Sequence, residues 1–228
     1  MDAASLSGTE PLAPGGRIDR GRLSAFLKAN VEGCGGEMML ARFRGGQSNP
    51  TLLATFENGR KVVLRKKPDG VLLPSAHAVD REFRVLKALE KSPVPVARPH
   101  VLSDDESIVG AMFYVMDHVD GRNFWDPALP DLTPAGRTAI YAEMRRVIAA
   151  IHALDWEAVG LAGFGRPEDY LARQVARWSK QYKASETEPI EAMDRLIEWL
   201  PGNLPPQRRA SLIHGDFRLD NLIFHPTE

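Results

Sequence analysis

The fold is decided by the stretch Ser211-Leu212-Ile213-His214-Gly215-Asp216-Phe217-Arg218-Leu219-Asp220-Asn221-Leu222-Ile223-Phe224, near the end of the chain. Its first and last three residues form short apolar runs, which predict buried strands on either side of a polar loop. A loop held between two strands is a rigid support for side chains that act together. The alternative is an ordinary turn, in which Asp and Asn occur because they favour turns.

The loop carries the pair Asp216 and Asn221. Phosphoryl transfer requires a carboxylate that orients the attacking hydroxyl and accepts its proton, and a neutral oxygen that holds a metal on the phosphates. Asp216 is the candidate base and Asn221 the candidate metal ligand. Arg218 is a further catalytic candidate because it can balance charge on the transferred group. A plain surface arginine is the alternative at that position.

Composition limits the classes of protein to consider. A chain of 228 residues can bury a core as one large domain or two lobes, and its net charge of −1 gives no general attraction to nucleic acid or membrane. No apolar run is long enough for a transmembrane helix. Residues 1–16 lack a signal-peptide pattern and are predicted to be a flexible leader. Cys34, the only cysteine, excludes disulfides and fits a cytoplasmic protein.

The first half of the chain predicts a helix and then a sheet. Helical spacing of apolar residues indicates a helix over Ile18–Asn30. Three strands are predicted after it, with Asn58-Gly59 as a hairpin turn before the last: Met38–Phe43, Thr51–Glu57 and Arg60–Lys66.

The segment between the first two strands carries candidate nucleotide-binding residues, namely Gly45, Gly46, Ser48 and Asn49. Glycines let backbone N–H groups approach phosphate oxygens, and Ser48 adds a hydroxyl. A plain hairpin loop explains the same residues equally well.

Two further nucleotide-binding candidates are Arg65 and Glu82. Arg65 ends the apolar run Val62-Val63-Leu64, and its guanidinium can bind phosphate through two hydrogen bonds. Glu82 lies in the apolar stripe of a helix predicted over Ser75–Leu89, where an unpaired carboxylate is costly. We therefore predict an ion pair between Arg65 and Glu82 that positions a nucleotide. The alternative is that Arg65 belongs to a solvated basic strand end.

Residues 108–116 form an apolar segment with one glycine and predict a buried strand. An adenine ring requires backbone donors and acceptors beside an apolar wall. The candidates are the Asp117 carbonyl and the Val119 N–H, with Met116 packing nearby. An ordinary exit from a strand into a loop is the alternative.

The order of these elements predicts two lobes. An N-lobe over residues 17–117 is joined by a hinge over 118–124 to a partial, mainly helical C-lobe over 125–228, which contains the catalytic loop 214–221.

The C-lobe is predicted to contain three helices. They start at Thr133-Pro134, at Pro167 and at Pro189. Trp125 is interpreted as a packing residue. The second helix carries a basic face, either solvated or turned toward an anionic acceptor, formed by Arg173, Arg177 and Lys180.

In this order, the motifs resemble those of the aminoglycoside phosphotransferase (APH) and choline kinase-like superfamily over essentially the whole chain. Three phrases are similar to the kinase-like region fused to some acyl-CoA dehydrogenases and to its stand-alone bacterial relatives. They are Val63-Leu-Arg-Lys-Lys-Pro68 with Leu72-Leu-Pro-Ser-Ala-His77, Gly121-Arg-Asn-Phe-Trp-Asp-Pro127, and Arg173-Gln-Val-Ala-Arg-Trp-Ser-Lys-Gln-Tyr182.

The resemblance implies an α+β, bilobal protein-kinase-like fold, with a small antiparallel sheet in the N-lobe and a mainly helical C-lobe. It also implies ATP or GTP, Mg²⁺, and transfer to a small-molecule hydroxyl, for the closer group that of a hydroxyacyl-CoA or hydroxy acid. The family places a metal-binding Asp after the loop, and this sequence ends at Glu228 before one. We therefore expect a truncated segment with little activity of its own.

Two alternative functions stay open on the sequence. One is an aminoglycoside-type antibiotic kinase, although the basic face described above favours an anionic acceptor. The other is a nucleotide-binding pseudokinase without catalysis. Protein kinase activity is less favoured because the sequence has no Asp-Phe-Gly or Ala-Pro-Glu signature.

Overall fold

The structure is a computed structural model that describes residues 8–12, 17–44, 49–68 and 78–226. Its strands are β1 Thr9–Pro11, β2 Met38–Phe43, β3 Thr51–Phe56, β4 Lys61–Lys66, β5 Pro99–Ser103 and β6 Phe113–Asp117. Its helices are α1 Arg20–Asn30, α2 Val79–Leu89, α3 Glu106–Val109, α4 Pro134–Ala153, α5 Tyr170–Ser185 and α6 Glu191–Trp199. Short 3₁₀ turns follow at Leu200–Gly202 and Leu219–Asn221.

The strands form one antiparallel sheet in the order β1-β2-β3-β4-β6-β5. Side chains alternate along β3 between partly exposed and buried, as expected for a sheet with one face on a core. On the buried face, Leu64 and Phe113 belong to the same core cluster as Leu23 and Leu27 of α1. The predicted α+β class with an antiparallel sheet and helices is confirmed.

One predicted strand is wrong in part. Residues 108–116 contain the end of α3, then Gly110, and only afterwards β6. Both Ile108 and Phe113 are buried, so the apolar run is real but is shared by two elements. Hydrophobicity reports burial and cannot by itself separate a short helix from a strand.

The two apolar runs that flank the loop 214–221 are not strands. Residues 211–213 have no regular structure, and Phe224 makes a single antiparallel bridge with Arg122. The Arg122 N–H donates to the Phe224 carbonyl and the Phe224 N–H to the Arg122 carbonyl, both at 2.8 Å. One isolated bridge therefore takes the place of the two predicted strands.

Three elements carry no clear signal in the sequence. Within the leader predicted for residues 1–16, Thr9–Pro11 instead forms β1, which pairs with β2. The other two are β5 and α3, which follow the proline-rich segment before Pro99. Short elements with few apolar residues depend on their neighbours for stability, so local pattern does not reveal them.

The described residues divide into two compact units. One contains the residues up to Ala150 together with those from His214 on, and the other is Ile151–Ile213. In the second unit neither α5 nor α6 has a fully buried side chain. The predicted lobe and hinge boundaries stay a prediction.

Among the described residues, no helix has both the length and the apolar character that crossing a bilayer requires.

Gly121 is expected to tolerate no side chain. A Cβ there would lie 2.4 Å from Ile223 Cγ2 and 2.6 Å from the Phe224 carbonyl oxygen, so the bridge beside it would have to shift. We expect Gly121→Ala to lower the free energy of unfolding by about 1–3 kcal/mol in urea titrations. The control is Gly136→Ala in α4, where the nearest atom to the added Cβ is 3.4 Å away. Equal effects of the two changes would contradict this account.

Candidate functional site

The loop 214–221 brings together three of the predicted site residues. Asn221 Nδ2 donates to Asp216 Oδ2 at 2.8 Å and to the Asp216 backbone carbonyl at 2.9 Å. Arg218 Nε lies 2.8 Å from Asp216 Oδ1, and a terminal nitrogen of Arg218 lies 3.1 Å from Asp220 Oδ2. Both oxygens of the Asp216 carboxylate are thus oriented by neighbours within the loop.

The tight start of this loop requires a glycine. Gly215 has a φ of +84°, a conformation that side-chain-bearing residues rarely adopt. It allows the Asp216 N–H to point back at His214 Nδ1, at 3.3 Å. His214 also contacts Phe217 edge to face, with ring centroids 5.5 Å apart. Asp216 is thereby presented at the surface, with a side chain that is 60% exposed.

Asn123 is a residue that the sequence reasoning missed. Its Nδ2 donates to the backbone carbonyls of Asp220 at 2.8 Å and Leu222 at 2.9 Å. These bonds and the neighbouring Arg122–Phe224 bridge hold the end of the loop against the segment after β6. A polar residue next to the aromatic pair Phe124-Trp125 was the signal available in the sequence.

A second cluster surrounds Glu82, and the predicted ion pair is present in it. Arg65 Nε lies 3.0 Å from Glu82 Oε2. Buried Asn49 donates to Glu82 Oε1 at 2.9 Å, and the Tyr114 hydroxyl donates to Oε2 at 3.0 Å. Glu82 therefore receives one cation and two neutral donors, which compensates its partial burial.

Tyr114 was not predicted as part of this cluster. It lies opposite Arg65 in the β4–β6 ladder, and that register places its hydroxyl at Glu82. Burial, together with the adjacent negative charge of Glu82, raises the pKa of the Tyr114 hydroxyl. The hydroxyl accordingly stays protonated and serves as a donor to the carboxylate.

A third cluster lies at the end of β6, where adenine binding is predicted. Asp117 Oδ1 accepts from a terminal nitrogen of Arg60 at 2.6 Å and lies 2.7 Å from His100 Nε2. Burial opposes the charge, but the hydrogen bonds from His100 and Arg60 outweigh it and lower the pKa of Asp117. Met116 precedes it in the ladder opposite Val63, and Val119 is 42% exposed.

The predicted residues thus fall into three clusters: Asp216, Arg218 and Asn221; Asn49, Arg65 and Glu82; and Met116 with Asp117. Gly45, Gly46 and Ser48 lie outside the described residues. Within the described part of the chain, no group of three or more His, Cys, Asp or Glu side chains is arranged to hold a metal.

The loop offers one candidate ligand for a magnesium ion. Because Asn221 Nδ2 is used by Asp216, Asn221 Oδ1 is the side-chain atom that can bind a hard cation. Mg²⁺ commonly takes few protein ligands and completes its shell with substrate phosphates and water.

Comparison with known proteins identifies the family. The model of the family described as "APH: Phosphotransferase enzyme family" matches residues 40–228. Acyl-CoA dehydrogenase family member 10 of Mus musculus is 49% identical over 96% of this chain and 20% of its own length. Acyl-CoA dehydrogenase family member 11 of Homo sapiens is 44% identical over 99% of this chain and 30% of its own length. The chain thus spans less than a third of these curated relatives.

Two solved structures share the fold. A protein of Ralstonia eutropha JMP134, provisionally described as an aminoglycoside phosphotransferase, superposes with a TM-score of 0.81 at 48% identity over 92% of this chain and 62% of its own. Macrolide 2'-phosphotransferase type I superposes with a TM-score of 0.57 at 18% identity, over 94% of this chain and 68% of its own. The second likeness concerns the fold alone.

The hydroxyl of Tyr114 is expected to contribute to stability through Glu82. Tyr114→Phe keeps the ring and removes one donor, so we expect the free energy of unfolding in urea to fall by about 0.5–1.5 kcal/mol. The matched control is Tyr182→Phe, because the Tyr182 hydroxyl has no hydrogen-bond partner among the described residues. A loss of similar size in the control would argue against a specific role of the Glu82 contact.

Asp117 is expected to give a pH-dependent contribution to stability. Its pKa is lower in the folded than in the unfolded protein, so its stabilisation is complete above the unfolded value of about 3.9 and is lost as the pH falls through the folded value. In urea unfolding at several pH values, the advantage of wild type over Asp117→Asn should therefore be full near neutrality and shrink at acid pH. Asp131→Asn, an exposed position, serves as the control. A pH-independent gap for Asp117→Asn would be the contrary result.

Proposed function

Because the chain belongs to the APH phosphotransferase enzyme family, we propose that it takes part in phosphoryl transfer from ATP to the hydroxyl of a small molecule. The observation that supports this most directly is the geometry of Asp216, whose two carboxylate oxygens are oriented by Asn221 and Arg218. An exposed carboxylate fixed in this way can meet the hydroxyl of a diffusing acceptor.

Asp216 acts in this proposal as the general base. Its carboxylate orients the acceptor hydroxyl and accepts the hydroxyl proton as the new bond to phosphorus forms. Asn221 holds the carboxylate through Nδ2 and offers Oδ1 to a metal. Arg218, next to the reacting group, opposes the negative charge on the transferred phosphoryl group.

The cluster around Glu82 holds the nucleotide in this proposal. Glu82 fixes the position of Arg65, whose guanidinium can then bind the phosphates at little further entropic cost. Asn49 connects the same carboxylate to the segment before β3. The backbone of Asp117 and Val119, beside Met116, is the proposed contact for the base of ATP or GTP.

Mg²⁺, when bound with the nucleotide, would neutralise phosphate charge. Asn221 is the described residue that we assign to it. We retain the expectation that these 228 residues alone turn over slowly, and ADP release by the isolated chain is the measurement that tests it.

The acceptor that we favour is a hydroxyacyl-CoA or a hydroxy acid. Support comes from the relatives described as acyl-CoA dehydrogenase family members, which match nearly the whole of this chain at 44–49% identity. We place the reaction in the cytoplasm and expect an anionic small molecule as partner. An aminoglycoside acceptor is the second candidate, since a structure 48% identical carries that provisional description.

Asp216→Asn is expected to abolish most of the activity while nucleotide binding persists. The amide keeps the shape of the side chain but cannot accept the proton, so acceptor-dependent ADP release should fall by about 10²–10⁴-fold. The assay uses the full gene product and Mg-ATP, with hydroxyacyl-CoAs, free hydroxy acids and aminoglycosides in parallel. Asp131→Asn, an exposed carboxylate outside the loop, is the control.

The outcomes separate the candidates. ADP release that depends on one acceptor class and is lost in Asp216→Asn establishes the kinase activity and the class of its substrate. Nucleotide binding without ADP release in the presence of any acceptor would instead favour a pseudokinase.

A further inference from the structure

We propose that the acceptor lies along one side of α4, with an apolar segment beside the catalytic loop and a distal phosphate on two arginines farther from it. This inference rests on the proposed function, because Asp216 sets the end at which the hydroxyl reacts. It assigns binding roles to residues of α4 and of the segment before it, outside the loop and the nucleotide clusters.

A groove of about 340 Å³ opens beside the loop. Its apolar side is formed by Trp125, Pro127, Tyr141 and Met144, and its polar side by Arg218 and Asp220. Arg218 is the residue paired with Asp216, so one side chain of the groove wall directly contacts the proposed base. Trp125, interpreted from sequence as a packing residue, is half-buried and contributes a ring to this wall.

A second, open groove of about 410 Å³ adjoins the first along α4. It is lined by Arg137, Thr138, Tyr141, Ala142 and Arg145. Tyr141 lines both grooves, which makes them one continuous surface. Together they have the size of an ordinary small-molecule site.

The wall between the two grooves is held by side chains of α4. The Tyr141 hydroxyl donates to the Pro127 carbonyl at 2.6 Å. A terminal nitrogen of Arg137 lies 3.4 Å from the Ala128 carbonyl, a longer contact. Tyr141 is nevertheless 45% exposed, so its ring is fixed in place and still available to a ligand.

The charge of the second groove favours an anion. Arg137, Tyr141 and Arg145 are spaced by one helical turn each and form a single stripe, with about 12 Å between the outer Cα atoms. Among the described residues, neither arginine is paired with a carboxylate, whereas Arg146 binds Glu143. Two uncompensated guanidinium groups on one stripe are suited to a phosphate.

The order of these surfaces along α4 indicates the class of ligand. Starting from Asp216, the surface offers a position for the acceptor hydroxyl, then an aromatic and aliphatic wall, then two arginines. A thioester or ester with a hydroxylated acyl chain and a phosphate-bearing carrier matches all three parts. A polycationic acceptor would place positive charge against Arg137 and Arg145.

The kinetic test uses the full gene product and compares Arg145→Ala with Arg146→Ala, its neighbour on a different stripe of the same helix. The substrates are a hydroxyacyl-CoA and the corresponding hydroxyacyl-pantetheine, which lacks the phosphates. We expect wild type to prefer the CoA thioester, and Arg145→Ala to reduce that preference in kcat/KM by about tenfold through KM, since hydrogen bonds to charged groups are of that strength. Arg146→Ala should retain the preference. Equal preference in all three proteins would overturn the proposal.

A binding measurement separates this inference from the proposed reaction. Coenzyme A itself, titrated calorimetrically without ATP, should bind wild type and Arg146→Ala alike and bind Arg145→Ala about tenfold more weakly. That result would support the anion site even if no acceptor led to ADP release. In that case only the proposed reaction would be contradicted. Absence of coenzyme A binding to wild type, or equal binding to both variants, would overturn the anion site even if the kinase reaction were established.

Discussion

The antiparallel bridge between Arg122 and Phe224 is the contact on which the position of the loop 214–221 depends. It joins the end of the described chain to the segment that leaves β6, through two backbone hydrogen bonds of 2.8 Å. Asn123 adds two bonds to carbonyls at the end of the loop. Gly121 permits this approach because it presents no Cβ to Ile223 and Phe224. A few hydrogen bonds between segments far apart in sequence therefore do what the two predicted strands were expected to do.

Carboxylates surrounded by donors recur in all three clusters. Glu82 has Arg65, Asn49 and Tyr114, whereas Asp216 has Arg218 and Asn221. The difference lies in exposure, because the Glu82 side chain is 33% exposed and that of Asp216 60%. A structural carboxylate is best enclosed by its partners. The proposed base must remain open to the acceptor.

Much of the fold could be predicted because its signals are local. Helix α1, strands β2 to β4 and helix α4 follow from apolar spacing, from the Asn58-Gly59 turn and from the Thr133-Pro134 cap. The secondary-structure predictions are wrong where one composition is compatible with more than one conformation. The segment 108–116 is uniformly apolar, and the apolar runs flanking the loop form no strand, only the single bridge of Phe224 with Arg122. The strand β1 within the predicted leader is stabilised mainly by β2, which lies far from it in sequence.

The same distinction applies to the candidate site. The sequence alone determined which residues are candidates for the chemistry, since Asp216 and Asn221 lie in one loop and Glu82, in an apolar stripe, requires a cation as partner. Tertiary structure alone decided that Tyr114 completes the Glu82 cluster, through the register of β4 and β6. It also decided that Trp125 lines a groove with Tyr141. Spacing within one element is encoded locally, whereas contacts between elements depend on sheet register and chain closure, which no local pattern specifies.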